Sequence, residues 1–311
     1  MATPFPGEFA FIEWVRQGQA ASPAVAVGVG DDCAVLPASP SATLVTTDML
    51  MEGSCFRLAE AGPYRVGRKA MAVNVSDIAA MAGTPKAAFV SLGLPRSMSF
   101  EVVKELHRGL QAVAAEFGIA IAGGDTNTWD GPLTVSVTLI GAVHPRGPVL
   151  RSGAKVGDWI FVTGPLGGSI LGHHLDFIPR VAVARWLHET VNLNAMIDVS
   201  DGLAKDLHRI MEASGVGAEL DSAMIPMTDA AARLSNEDGM SALDHALGDG
   251  EDFELVFTVS AEDGRLLSKM KSPDGVTCHR IGQIVENGFW LIDDKIRTAL
   301  RPVGYEHRFT S

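Results

Sequence analysis

Asp31 and Asp32 follow Gly30, Asp48 closes Thr46-Thr47-Asp48, Asp125 closes Gly123-Gly124-Asp125, and Asp198 and Asp201 bracket Val199-Ser200 ahead of Gly202. Each cluster follows or interrupts an apolar run, and carboxylates grouped at strand ends gather metal ions. A further acid, Asp77 in Asn74-Val75-Ser76-Asp77, lies in an Ala- and Met-rich segment that reads as helix, which would point its carboxylate out of a packed element. Carboxylates repel phosphate, so such a set holds a polyphosphate only through hard cations such as Mg2+, which take carboxylate and water oxygens and bridge to phosphate. The chemistry indicated is metal-dependent phosphoryl transfer.

Each motif also has a plainer reading. A single Gly-Asp-Asp is most often a solvated turn, because Gly and Asp are common turn formers, but the repetition of the pattern favours a site. Gly28-Val29-Gly30-Asp31-Asp32-Cys33 has Cys33 where a dinucleotide fingerprint needs its third glycine. Gly164 to Ser169 is Gly-rich but lacks the lysine of a phosphate-binding P-loop, so a tight turn is expected there. In Asp198-Val199-Ser200-Asp201-Gly202, helix capping by Ser200 or Asp201 would explain one acid and not both. Gly123 and Gly124 would let the backbone approach a ligand, with Asp125 reaching a metal. Adjacent His173 and His174 near Asp176 point in different directions on a helix and are read as surface or loop residues.

The elements that must position these residues alternate. Thr43 to Thr47 and Thr134 to Val143 carry the β-branched content of strands. Glu101 to Phe117 has apolar residues at helical spacing and stops at Gly118, and Ile119 to Ala122 is a short buried-type strand running into Gly123. Turn formers concentrate between Ala142 and Gly157, so the domain boundary is set near residue 148, giving domains 1–148 and 149–311. The second half offers a strand over Asp158 to Thr163, another over Ala195 to Ile197 leading into Asp198, a helix from Leu203 to Ser214 closed by Gly215, and a strand over Glu254 to Val259.

With 311 residues, 47% of them hydrophobic, the chain can bury a large core, and its length favours two α/β domains. The 25 basic and 37 acidic residues give a net charge of −12, which argues against nucleic-acid or anionic-membrane partners. Cys33, Cys55 and Cys278 are widely spaced and form no CxxC pair, so neither a disulfide framework nor a zinc knuckle is expected. The opening residues carry no basic region followed by an apolar stretch, and a cytoplasmic setting is the expectation.

Taken in order, Gly30-Asp31-Asp32, Thr46-Thr47-Asp48, Asn74-Val75-Ser76-Asp77-Ile78-Ala79-Ala80-Met81, Gly123-Gly124-Asp125-Thr126, Arg151-Ser152-Gly153-Ala154, Asp198-Val199-Ser200-Asp201-Gly202-Leu203, Gly250-Glu251-Asp252-Phe253-Glu254-Leu255 and Gly304-Tyr305 resemble the thiamine-monophosphate kinase family along nearly the whole chain. That family is similar to aminoimidazole-ribonucleotide synthetase. The resemblance implies an α/β (α+β) fold of two domains, a homodimer paired through the N-terminal sheet, and ATP bound between the domains. It implies several Mg2+ ions and a direct transfer of the ATP γ-phosphoryl group to the phosphate of thiamine monophosphate, with no covalent enzyme intermediate. Carried over residue by residue, it places Asp32, Thr46, Thr47, Asp48, Asp77, Asp125, Asp198 and Asp201 at the metals. Gly124, Arg151 and Ser200 fall at the nucleotide, and Cys55, Glu251 and Tyr305 at the thiamine phosphate. Two departures stand out: Gly53-Ser54-Cys55-Phe56 has Cys55 where the family has a substrate-touching histidine, and the stretch between Ser169 and Pro179 is short. They leave open two other readings, a different small acceptor or a binding protein without turnover.

Overall fold

The computed structural model describes residues 14–15, 17–18, 22–24 and 42–306. The chain divides into two compact units, the first ending at Val143 and the second beginning at His144, with Ala79–Gly83 grouped with the second.

The first unit is a four-stranded sheet of β1 (Thr43–Met51), β2 (Thr84–Pro95), β3 (Ala120–Trp129) and β4 (Thr134–Ala142) in the order β1-β4-β2-β3. β4 is antiparallel to both of its neighbours, and β2 and β3 run parallel. Alternation sorts the side chains: Val135, Val137 and Leu139 of β4 are fully buried on one face. Among the described residues, two long helices accompany the sheet, α1 (Pro63–Ala80) and α2 (Phe100–Glu116). α2 begins where the Ser99 side chain accepts from the Val102 amide, and it buries Val103, Leu106, Leu110 and Val113 at helical spacing. α1 and α2 touch backbone to backbone: a Cβ on Gly67 would lie 1.9 Å from the Leu106 carbonyl oxygen, and one on Gly109 the same 1.9 Å from that of Tyr64. Glycine at both positions therefore sets how close α1, which carries Asp77, can come to its partner.

The second unit is a seven-stranded mixed sheet of β5 (Trp159–Val162), β6 (Leu193–Asp198), β7 (Gly217–Asp221), β8 (Leu255–Val259), β9 (His279–Val285), β10 (Phe289–Asp293) and β11 (Ile296–Ala299), ordered β11-β10-β7-β9-β5-β8-β6. Its longer helices are α3 (Val181–Thr190), α4 (Leu203–Ser214), α5 (Asp229–Asp238), α6 (Ala242–Gly248) and α7 (Ala261–Leu267), and a single turn spans His173–Asp176. Leu203, Leu207, Ile210 and Met211 of α4 pack with Ile160, Val162, Ile197 and Val256 of the sheet in one apolar core. α4 ends at Gly215, which adopts φ 67°, the left-handed stop anticipated for that glycine. Among the described residues, no helix is long and apolar enough to cross a membrane.

Candidate functional site

In the first unit the acids come from β1 and α1. Asp48 lies inside β1 and not at its end, paired across the sheet with Val137. Thr46 and Asp48 share one face of the strand. The Thr46 hydroxyl donates to Asp77 Oδ2, so that face meets the last turn of α1. Burial first, and then the charge and hydrogen bond of Asp77, push the Asp48 carboxyl up to about 7. Two carboxylates therefore crowd one another beside a hydroxyl.

Thr47 is not part of this group. Successive strand side chains point to opposite faces, and Thr47 turns outward to hydrogen-bond Thr138 Oγ1 at 3.0 Å and the Val137 carbonyl at 3.2 Å. Asp125 is on that outer face as well, because the row Met49, Ser136, Ser91, Asp125 runs straight across the four strands. Its carboxylate accepts from Asn127 Nδ2 at 2.7 Å. Contrary to the expectation of a strand-end turn, Gly123-Gly124-Asp125 is internal to β3. Gly124 has a packing reason of its own: a Cβ there would sit 1.8 Å from the Val90 carbonyl oxygen of the adjacent strand. Cys55 is half-buried, and its carbonyl oxygen accepts from the fully buried Lys69 ammonium at 2.7 Å. Asp32 and Cys33 lie outside the described residues.

In the second unit, Asp198 ends β6 and is buried. The loop that follows is organised by a residue that motif reading passed over. Neither Ser200 nor Asp201 caps α4, whose N-cap is Gly202 with no side-chain bond. Instead Asp206, in the first turn of α4, turns back so that Oδ2 accepts from the Ser200 amide at 3.0 Å and the Asp201 amide at 2.8 Å. Arg209 donates to both Asp206 and Asp201, and Lys205 lies 3.8 Å from Asp201 Oδ2. Burial lifts the Asp206 carboxyl to about 6, and the backbone donors and Arg209 hold it from going higher. The i, i+3 spacing of Asp206 and Arg209 was the available sequence signal.

Glu251 and Tyr305 are fastened to this same loop. The Glu251 amide donates to the Ser200 carbonyl at 2.8 Å, and the Tyr305 amide to the Asp201 carbonyl at 2.9 Å. Lys205 Nζ also donates to the Tyr305 carbonyl. Glu251 and Phe253 have φ of 55° and 50°, left-handed values that non-glycine residues adopt where surrounding contacts enforce them, often at functional sites. The Gly-rich turn joins the assembly: the Gly167 amide donates to Asp252 Oδ1 at 2.9 Å, the Gly168 amide to Asp249 Oδ2 at 2.7 Å, and Ser169 Oγ to the Gly250 carbonyl at 2.7 Å. Burial, offset in part by the Gly167 amide, raises the Asp252 carboxyl well above its ordinary range. Arg151 is exposed, and Ser214 at the end of α4 holds its segment by accepting from the Gly153 and Ala154 amides, each at 3.1 Å. His174, read from sequence as a surface or loop residue, is buried, with Nδ1 on the Ser169 carbonyl at 2.8 Å; His173 meets the Asp252 carbonyl at 3.1 Å. Both are part of the turn's scaffold.

Asp48, Asp77 and Thr46 offer oxygen donors, which suit a hard divalent cation. Among the described residues, no three His, Cys, Asp or Glu side chains converge closely enough to hold a metal ion by themselves. Two carboxylates beside a hydroxyl are the kind of donor set Mg2+ would take, since it usually binds one or two carboxylates and completes its shell with water and substrate phosphates.

Two sheets of this topology with an acid-rich set on each define a class. Residues 30–143 match the N-terminal domain, and residues 155–291 the C-terminal domain, of AIR synthase related proteins. Within that class, the thiamine-monophosphate kinase of Rhodopirellula baltica is 44% identical over 293 residues, covering 91% of each chain. The crystal structure of thiamine-monophosphate kinase from Stenotrophomonas maltophilia K279a superposes with a TM-score of 0.78 at 32% identity, over 92% of this chain and 96% of that one. AaThiL complexed with AMPPCP and TMP superposes at 0.76 with 26% identity, over 99% of both chains. The chain belongs to the thiamine-monophosphate kinase family.

Proposed function

We propose that this protein transfers the γ-phosphoryl group of ATP to the phosphate of thiamine monophosphate, giving thiamine diphosphate and ADP with Mg2+ as the metal. The observation that carries the reading is the pairing of like-charged Asp48 and Asp77 beside Thr46, in a chain 44% identical to a thiamine-monophosphate kinase. When bound, Mg2+ screens the repulsion between the two phosphates and aligns them. Asp48, Asp77 and the Thr46 hydroxyl hold metal on the first unit, and Asp198 and Asp201 on the second; Asp32 is assigned to the same task. Ser200, Gly124 and Arg151 meet the nucleotide, Arg151 offering the planar fork that suits phosphate oxygens. Glu251 supplies negative charge for the cationic heterocycle of thiamine, Tyr305 a ring to stack on it, and Cys55 a small thiol on the acceptor side. No side chain is needed as nucleophile, since the acceptor phosphate attacks directly.

A homodimer through the first sheet is part of the proposal. The outer face of β1 exposes Val45, Met49 and Met51 in alternation, an apolar row that favours cover by a second copy. Thr47 and Asp125 share that face, so a dimer formed there would place them at or near its interface, away from the Asp48 and Asp77 of their own chain. A cytoplasmic setting fits the free thiols of Cys55 and Cys278.

The test is chromatographic detection of thiamine diphosphate and ADP after incubation with Mg-ATP and thiamine monophosphate. The parent should form both, and Asp77→Asn should lose about a thousandfold in rate, several kcal/mol of metal-borne charge stabilisation. ADP without thiamine diphosphate would reassign the acceptor.

A further inference from the structure

Asp206 is fully buried, and its carboxylate reaches the loop ahead of α4 through the Ser200 and Asp201 amides and, on its own helix, Arg209. We infer that Asp206 is a positioning residue for phosphoryl transfer: it fixes the peptide between Ser200 and Asp201 and, through Arg209, aims the Asp201 carboxylate, so that one buried acid sets the nucleotide side and the acceptor side together.

The argument turns on a single peptide plane. The carbonyl of Ser200 and the amide of Asp201 belong to the same rigid unit. Its N–H donates to Asp206 Oδ2 at 2.8 Å, and its C=O accepts from the Glu251 amide at 2.8 Å. Rotating that plane to satisfy a different partner for the N–H turns the carbonyl away from Glu251 at the same time. The next carbonyl, of Asp201, accepts the Tyr305 amide at 2.9 Å, so it moves too. Arg209 closes the arrangement from the side chain: its fork joins Asp206 Oδ1 to Asp201 Oδ2 and settles which way the second carboxylate faces. Lys205 adds a second cation on Asp201 and a donor to the Tyr305 carbonyl, so residues from one turn of α4 reach both sides. A carboxylate that merely stabilised the helix start would need only the amide contacts. The link through Arg209 to a neighbouring carboxylate, and the fastening of Glu251 and Tyr305 to the far side of the same peptides, serve orientation.

The inference rests on the roles proposed above, and the experiment separates the two. Backbone amide exchange is measured by NMR on the ligand-free full chain, parent and Asp206→Asn, alongside KM for ATP and for thiamine monophosphate and kcat at saturating Mg2+. Asn keeps one oxygen for the two amides but turns an NH2 toward Arg209. The amides of Ser200 and Asp201, and with them those of Glu251 and Tyr305, should then exchange at least about tenfold faster, the scale of one charge-assisted hydrogen bond. Both KM values should rise while amides of the β5 and β8 core keep parent rates. Arg209→Lys keeps a cation but not the fork, and should raise KM for ATP while leaving the Glu251 amide protected. If Asp206→Asn does not fold, Arg209→Lys decides alone, since parental KM for ATP in that variant would overturn the inference. A folded Asp206→Asn with parental exchange at all four amides, or with both KM values unchanged, would overturn it as well. A parent chain with no thiamine-phosphate kinase activity would sink the functional reading and leave the exchange comparison standing.

Discussion

The Asp48 and Asp77 pair of the first unit and the ion-paired acids of the second are treated in opposite ways. In the first unit Asp48 and Asp77 face each other, and their charges are mutually unfavourable. In the second, Glu254 is clasped by Arg180, Asp206 and Asp201 share Arg209, and Asp249 meets His245. Glu254, Asp206 and Asp249, compensated from within their own unit, hold the chain in shape, while Arg209 orients Asp201. Like charges brought together cost the fold and are a mark of functional sites, which is why the Asp48 and Asp77 pair weighs more in the functional reading than the larger number of acids in the second unit.

The sharpest way to break this contrast is to remove one internal cation. Glu254 is buried and accepts from Arg180 Nε at 2.7 Å and from Thr163 Oγ1 at 2.6 Å. Arg180→Ala leaves that carboxylate buried without its cation and should cost about 3–5 kcal/mol in urea unfolding. An unchanged midpoint would mean that the second unit's acids are not structural, and the contrast would fail.

Asp48→Asn should act with the opposite sign. The carboxyl titrates near 7 in the folded chain against an ordinary 3.8, so its contribution to stability is full below 3.8 and is lost as pH rises through about 7. Above that pH the metal-free Asn variant, which cannot ionise, should be more stable than the parent by about 1 kcal/mol or more, while its kinase activity falls. Thermal melts at about pH 8 with a chelator present would read it; a destabilised variant would show that the carboxylate serves the fold.

The same contrast explains what the sequence could reveal. Strands β1, β4, β5, β6 and β8 and helices α2 and α4 were legible because apolar spacing and end signals such as Gly118 and Gly215 are local. The strand-end placement of Asp48 and Asp125 was misjudged because pairing partners carry β1 on through Met49 and Leu50 to Met51, and β3 on through Thr126, Asn127 and Thr128 to Trp129, residues whose own pattern is ambiguous. Which face a carboxylate occupies depends on register, and Thr47 and Asp125 fell on the outer one. Asp206 escaped notice because its role comes from turning back on the preceding loop, whereas motif reading looks for acids that face a ligand.

His245 offers the finest probe, because its compensation depends on a proton. The ring is buried in α6 with Nδ1 2.9 Å from Asp249 Oδ1 and Nε2 3.4 Å from Asp238 Oδ1, and Asp249 in turn holds the Gly168 amide. Burial disfavours the charged ring, but the hydrogen bond and charge of Asp249, followed by those of Asp238, outweigh it and raise the pKa above 6.5. A raised histidine contributes stability that is full below 6.5 and disappears as pH climbs through the folded value. His245→Gln retains a hydrogen-bonding side chain but carries no titratable proton. Between about pH 6 and about pH 9 the parent should therefore lose more stability to urea than the variant does, and the two curves should converge at the alkaline end. Because Asp48 weakens the fold over part of the same range in both proteins, only the difference between the curves reports on His245. Parallel curves would mean that the ring is neutral throughout, and that Asp249 holds the Gly-rich turn without a cation behind it.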